Sequence, residues 1–273
     1  MKNVKNEIKK VRIISNNKEE CIEKANRLMK ILLDEGFEVV KGLADLVVFI
    51  GGDGTFLSGC QMIDFSSETI CIGINTGTLG ILQNYDGTLK DLVNILKDAY
   101  ELNIKEVPYL EVTLNLRYDK PVTLKALNEV SLIGDGLSLF KFDEWINNKY
   151  FQTGCSGGVV VSSYLGSTGM SKDFYSPILI DEKQLLLRSI IGANFYKTEP
   201  FLTNPVVCSE YRIDLENIYK SAKLQIDGKI NKDINISDVI SIRVKYSKLS
   251  IRMLYCCKEE SRVELIRKKL IEK

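Results

Sequence analysis

The chain contains no histidine among its 273 residues, a single tryptophan and five prolines. Zinc fingers and histidine-dependent catalysis are therefore excluded, and any general base must be a carboxylate, a lysine, a tyrosine or a thiolate. Cysteine is present seven times, at Cys21, Cys60, Cys71, Cys155, Cys208, Cys256 and Cys257, but no pair has the CxxC spacing of a metal or redox site. Scattered thiols without an export signal read as buried and reduced. Charge of one sign is not in excess either, with 37 Lys and Arg against 36 Asp and Glu. No global field favours nucleic acid or an anionic membrane, so anion binding has to be local. No apolar run approaches the ~18 residues of a membrane span, and MKNVKNEIKK is not followed by an apolar signal core. A cytoplasmic protein is expected, with neither membrane nor nucleic acid as a partner. Two nucleotide signatures are missing as well. There is no GxxxxGK[ST] string, and a GxGxxG reading fails at Leu57.

What is present begins as an alternation of strand and helix signals. VRIIS (11–15) is a short apolar run, and Ile22, Ala25, Leu28, Ile31 and Leu32 recur at helical spacing over 18–34, with Gly36 as a stop. FEVV, LVVFI and ICIGI (70–74) read as strands. FLSGCQMI reads as a helix, and so does TLKDLVNILKDAY (88–100), which Thr88 and Asp91 cap as a capping box does. Strands interleaved with helices imply a parallel sheet with crossovers. After Pro108 the pattern changes to period two, in YLEVTLNLRY, PVTLKALNEVSLI, LFKFDEWINNKYFQTGC, GGVVVSS, KLQIDGKI and KLSIRMLYC. The fold class expected is an α/β N-terminal domain with a parallel sheet over 1–100, followed by a β-rich C-terminal domain over 101–257. A terminal helix over 258–273 could return to the first domain.

The chemistry concentrates at GGDGTFL (51–57), directly after the apolar run LVVFI. In open α/β sheets ligands bind at the carboxyl ends of strands. Glycines there let backbone N–H groups reach an anion, and a helix start adds partial positive charge. Asp53 repels phosphate, which makes sense if it takes a proton from a hydroxyl beside a phosphate that the glycines hold. A plain strand-to-helix turn with Asp53 as N-cap is the simpler alternative. GINTGTLG (73–80) places a second glycine-bearing turn after another apolar strand. Asn128-Glu129 interrupts an apolar stretch, where a buried charge needs a partner. Asp227-Gly228 reads as a hairpin turn. Trp145 reads as a packing residue, and Lys172 as a solvated surface lysine.

GGDGTFL, GINTGTLGIL, LNEVSL (127–132) and VSSYLGSTGMS (161–171) together resemble the NAD kinase family, in its bacterial type, in content, order and spacing. GGDGT alone is also found in phosphofructokinases and in diacylglycerol and sphingosine kinases. The resemblance implies a two-domain fold of the kind read above. It implies transfer of the γ-phosphoryl of ATP to the 2′-hydroxyl of the adenosine ribose of NAD, with Mg²⁺ or another divalent cation, in a homodimer or homotetramer. By motif match Asp53 corresponds to the base that takes the ribose proton, and Gly54 to a backbone contact with the dinucleotide. Asn128 and Glu129 correspond to contacts with bound NAD, and Thr168 to the residue that recognises adenine. The same motif extends the NAD-binding set to Gly169, Ser171 and Asp173. The phosphate and ATP loops take Gly51, Gly52, Gly54, Thr55, Asn75, Gly77 and Gly80, and no protein side chain is assigned to a metal.

Departures from the family pattern cluster on the dinucleotide side. Tyr164 stands where the family has proline, and Met170 stands where its GSTAY has tyrosine. Gly157 replaces an acidic residue, and Gly192 and Ala193 replace two asparagines in IGANFYKT (191–198). An altered acceptor preference, such as NADH over NAD, is one reading of these changes. A lipid kinase of the diacylglycerol or sphingosine type, and a catalytically weak nucleotide sensor that kept its phosphate loops, are the alternatives.

Overall fold

The computed structural model describes residues 8–77, 80–83, 85–98, 102–135, 139–180, 185–193, 201–217, 222–255 and 262–272. The chain divides into two compact units, one formed by Met1–Val107 with Leu249–Lys273 and the other by Pro108–Lys248. The boundaries fall at 107/108 and 248/249, so 102–107 and 249–255 lie with the α/β unit rather than with the β-rich one expected to hold them.

The first unit contains β1 (Lys10–Ser15), α1 (Glu19–Asp34), β2 (Glu38–Val39), β3 (Leu46–Gly51), α2 (Asp53–Met62), β4 (Ile70–Asn75) and α3 (Leu89–Asp98). The sheet order is β2-β1-β3-β4, all parallel. Every residue of β3 is buried, as expected of a parallel strand covered on both faces. The α1 helix buries Cys21, Leu28 and Leu32, while Ile22 is 44% exposed. The inward stripe differs from the expected one only in the first turn, where Cys21 packs as a small apolar side chain in place of Ile22; Ala25 and Ile31 pack against the core as expected. Thr88 caps α3. Its Oγ1 accepts the Asp91 N–H at 3.2 Å, and its hydroxyl donates to Asp91 Oδ2 at 2.6 Å. The core runs through Val11, Leu28, Leu32, Val48, Ile72, Leu92 and Leu254.

Strand β5 (Ile104–Leu116) leads into the second unit, which contains β6 (Val122–Ala126), β7 (Glu129–Ile133), β8 (Phe140–Ile146), β9 (Lys149–Ser162), β10 (Leu186–Ala193), β11 (Val206–Cys208), β12 (Glu210–Asn217), β13 (Lys223–Ile226) and β14 (Lys229–Ile230). Strand β15 (Val239–Leu254) then carries the chain back to the first unit, where α4 (Arg262–Ile266) follows. The second unit has the antiparallel order β14-β13-β7-β9-β8-β12-β15, with β10 also paired to β9. The β8–β9 hairpin turns at Asn147 and Asn148, both at positive φ (50° and 62°), as a tight hairpin requires. Alternating inward residues such as Leu132, Phe142, Val159, Val161, Ile213 and Val244 form its core. At the end of β15, Arg252 and Met253 pair in parallel with Ile70 and Cys71 of β4, completing the first unit's sheet.

Candidate active site

The order β2-β1-β3-β4 reverses direction between β1 and β3, which makes their carboxyl ends a topological switch point. GGDGT begins there. A Cβ on Gly51 would lie 2.2 Å from Thr55 Oγ1 and 2.9 Å from Asn16 Nδ2, so only glycine lets the loop close this tightly. Gly52 is the N-cap of α2, and the first intrahelical bond runs from Thr55 N to the Gly52 carbonyl at 2.9 Å. The amides of Asp53 and Gly54 precede that bond and point where a helix start accepts an anion.

Asp53 is therefore not the N-cap that a plain turn would make it. It is the first residue of α2, and its carboxylate is held from another segment. Ile81 N donates to Oδ2 at 3.0 Å and Leu82 N to Oδ1 at 2.9 Å. Asn75 closes its own turn, with Gly77 N donating to its Oδ1 at 2.9 Å and its Nδ2 donating to the Gly77 carbonyl at 3.0 Å. A Cβ on Gly80 would meet that asparagine side chain at 2.5 Å. Asp53, Gly51, Gly52, Gly54, Thr55, Asn75, Gly77 and Gly80 thus form one connected constellation in the first unit. Thr78 and Leu79 of GINTGTLG lie outside the described residues.

In the second unit the expected dinucleotide residues converge on the turn before β7. Asn128 Oδ1 and Glu129 Oε2 are buried with no hydrogen-bond partner among the described residues. Burial, with the negative charge of Asp227 adding to it, pushes the Glu129 carboxyl up to about 8. At neutral pH it is mostly protonated and can donate as well as accept. Gly166 comes so close that a Cβ there would lie 2.1 Å from the Asn128 carbonyl oxygen. The same carbonyl accepts Ser163 N at 2.8 Å, and Ser163 Oγ donates to the Leu127 carbonyl at 2.6 Å. Gly169 stands across from the pair, its virtual Cβ 3.3 Å from Glu129 Oε2. Thr168 donates its hydroxyl to the Leu165 carbonyl at 2.9 Å, leaving its lone pairs to accept. Ser171 is buried against the Ser162 hydroxyl. Asp173 does not join this group. Its side chain is 72% exposed beside Lys172 at 3.9 Å, a separation at which an exposed pair contributes little.

The sequence reading undervalued Asp227. It does sit in the β13–β14 turn, at φ 50°. Its carboxylate also accepts the amides of Leu127 (3.0 Å), Asn128 (2.7 Å) and Glu129 (3.3 Å), so it shapes the Asn128-Glu129 turn directly. Asn16 and Gln83, both beside the GGDG loop, also went unrecognised. Neither stands in a motif, and only the tertiary contacts reveal them. At the departures, Gly192 sits at φ 57°, while a Cβ on Gly157 would meet nothing nearer than 3.4 Å. Tyr164 is buried and its amide donates to Tyr246 Oη at 3.0 Å, whereas Met170 is half-buried. Tyr196, Lys197 and Thr198 of IGANFYKT lie outside the described residues, as do Cys256 and Cys257. The other five cysteines are buried and in no disulfide among the described residues.

Glycine amides, a helix start and a doubly held carboxylate at the carboxyl end of a parallel sheet define a phosphotransferase of the α/β class. A family model described as the ATP-NAD kinase N-terminal domain matches residues 15–104. An NAD kinase of Fusobacterium nucleatum is 30% identical over 253 residues, 89% of this chain and 90% of that protein. The chain belongs to the NAD kinase family. An NAD kinase of Picrophilus torridus is also 30% identical, over 90% of this chain and 85% of its own length. The fold matches a crystal structure of yeast NADH kinase complexed with NADH at a TM-score of 0.80, with 19% identity, covering 98% of this chain and 88% of that one. It matches an NAD kinase of Archaeoglobus fulgidus in complex with ATP at 0.71, with 18% identity, covering 95% and 98%. No helix among the described residues is long and apolar enough to cross a membrane.

Proposed function

We propose that this protein is an NAD kinase that transfers the γ-phosphoryl of ATP to the 2′-hydroxyl of the adenosine ribose of NAD, giving NADP. The observation that carries this reading is the Asp53 carboxylate at the start of α2, held by two amides among glycine loops. A ribose hydroxyl is too weak an acid to ionise before attack, so a base within ~3 Å helps in the transition state. Asp53 fills that role, accepting the proton on a lone pair that the Ile81 and Leu82 amides leave open. The amides of Gly52 and Gly54, with Thr55, hold phosphate, and Asn75, Gly77 and Gly80 shape the adjoining loop. Catalysis is otherwise positioning and charge neutralisation.

On the acceptor side, Asn128 Oδ1 is an orphaned acceptor suited to a ribose hydroxyl, and Glu129 is a protonated carboxylic acid suited to donate to one. Thr168 accepts from the adenine amino group, with Gly169 and Ser171 completing the wall. Asp173, exposed as it is, contributes only if it contacts the dinucleotide at the surface. A divalent cation belongs to the proposal as a companion of the triphosphate. Mg²⁺ is usually held by phosphates, water and one or two carboxylates rather than by a protein cage. Among the described residues no cluster of three or more His, Cys, Asp or Glu offers such a cage. A homodimer or homotetramer in the cytoplasm completes the proposal, and light scattering on the purified protein gives the oligomer size.

The test is an assay matrix of NAD and NADH against ATP, other triphosphates and polyphosphate. NADP or NADPH formed with ATP and Mg²⁺ is the expected result. No product from either dinucleotide would overturn the reading and leave the sensor alternative, which dinucleotide binding by calorimetry would support. Phosphorylation of a lipid hydroxyl instead would establish the lipid kinase.

A further inference from the structure

Ile81, Leu82 and Gln83 run beside the Gly52–Asp53 peptide. The first two donate their amides to the Asp53 carboxylate at 3.0 and 2.9 Å. Gln83 takes hold of the preceding carbonyl, its Nε2 donating to Gly52 O at 2.8 Å. That oxygen is also the N-cap acceptor of α2, receiving Thr55 N at 2.9 Å and, more weakly, Phe56 N at 3.4 Å, so Gln83 adds a bond from outside the helix to those of its first turn. We propose that Gln83 is a positioning residue for Asp53, orienting the catalytic carboxylate through the Gly52 carbonyl. The proposal rests on the kinase reading above.

Two features of the slot favour a positioning role over mere packing. Gln83 is 3% exposed, and its Oε1 is buried with no partner among the described residues. An unbranched apolar side chain of similar length would fill the same space without an unsatisfied acceptor. What the amide adds is the bond to Gly52. The room for it comes from Gly73, where a Cβ would lie 2.1 Å from Gln83 Oε1 and 2.9 Å from Gln83 Cα. Three consecutive residues thus grip the backbone before Asp53 and both oxygens after it. Rotation of the Gly52–Asp53 peptide plane, the motion that would swing the carboxylate off line, is opposed from two sides. Misplacement of a reacting group by about 1 Å costs on the order of 10²-fold in rate.

The full chain carrying Gln83→Met or Gln83→Glu tests this by steady-state kinetics, thermal melting and amide hydrogen exchange. In Gln83→Met, kcat should fall ~10- to 10²-fold, with KM for NAD and ATP nearly unchanged and a melting temperature equal to or above that of the wild type. If Gln83 only filled space, kcat would stay unchanged and the Ile81 and Leu82 amides would exchange as in the wild type. Gln83→Glu should show a shifted pH profile. Protonated, its carboxyl still donates to Gly52 O; ionised, it repels that oxygen, so activity relative to wild type should rise as pH falls. Independently of turnover, the Ile81 and Leu82 amides should exchange faster in Gln83→Met. Unchanged kcat with unchanged exchange overturns the proposal, and so does a loss of activity that tracks a fall in melting temperature. A wild-type protein inert toward NAD and NADH would instead sink the kinase reading, and exchange at the two amides would still decide whether Gln83 holds the loop.

Discussion

Asp53 and Glu129 are two carboxyls in unlike surroundings, the first half-buried and the second buried. Asp53 has both oxygens engaged by amide donors, which fixes the orientation of its carboxylate at the start of α2. Replacing it with Asn keeps the size and removes the proposed base. NADP formation should fall by ~10²–10⁴-fold in Asp53→Asn, measured at saturating ATP and NAD, while ATP still protects against thermal unfolding. Glu129 is raised to about 8, first by burial and then by Asp227. Because the folded state then holds a proton that the unfolded chain has released, this group's stabilisation is full below its unfolded pKa near ~4.3 and is lost as pH rises through about 8. Urea titrations between pH 5 and 8 should therefore show stability declining with pH, and Glu129→Gln should flatten that decline. An unaltered slope in the variant would place the proton elsewhere. Asp53 was legible in the sequence because its glycines and its strand are its immediate neighbours. The proton on Glu129 was not, since both burial and the facing charge come from residues far along the chain.

Among the elements, the turn before β7 depends most on distant parts of the chain. Asp227 gathers the amides of residues 127–129 from 100 positions downstream, and its own N–H returns to the Glu129 carbonyl at 2.9 Å. An asparagine there keeps one acceptor and turns an N–H toward amides that need an oxygen. Asp227→Asn should lower stability by ~1–3 kcal/mol by leaving buried donors unsatisfied, and should weaken NAD binding more than ATP binding. Isothermal titration with each nucleotide separates those effects. Gly166→Ala is also expected to impair folding, because the new methyl would sit 2.1 Å from the Asn128 carbonyl and the backbone would have to move. Chemical denaturation should show a loss of ~1–3 kcal/mol, and full stability would mean the approach is not that close. Periodicity revealed β3, β4, α3 and the β-rich half, since each is set by which face it buries. It revealed Asp227 only as a turn residue, because Asp-Gly in a hairpin has a sufficient local reason and the second task leaves no mark on the sequence.

Across the whole molecule, the α/β unit carries the proposed phosphate loops and the β unit the proposed acceptor residues. Each ligand should therefore stabilise the protein by mass action. ATP at ~100 times its Kd should add ~2.7 kcal/mol to the unfolding free energy, read as a rise in melting temperature that Mg²⁺ modulates. Absence of any shift at millimolar ATP would argue against the donor assignment. The division into an α/β and a β-rich part was readable from the change of period at Pro108. The exact seams were not, because β5 and β15 each run through a seam without a break in pattern, and a strand's alternation does not record where its partners change.

The end of β15 borders β4 only after the whole of Pro108–Lys248 has been made. During synthesis the first unit therefore waits with the outer edge of Ile70–Cys71 unpaired, an apolar strand edge of the sort that recruits other strands. The sheet of the first unit cannot be completed as an early product. Its completion is tied to Pro108–Lys248 already having been synthesised, so a chain cut short in translation would keep an open, aggregation-prone strand edge.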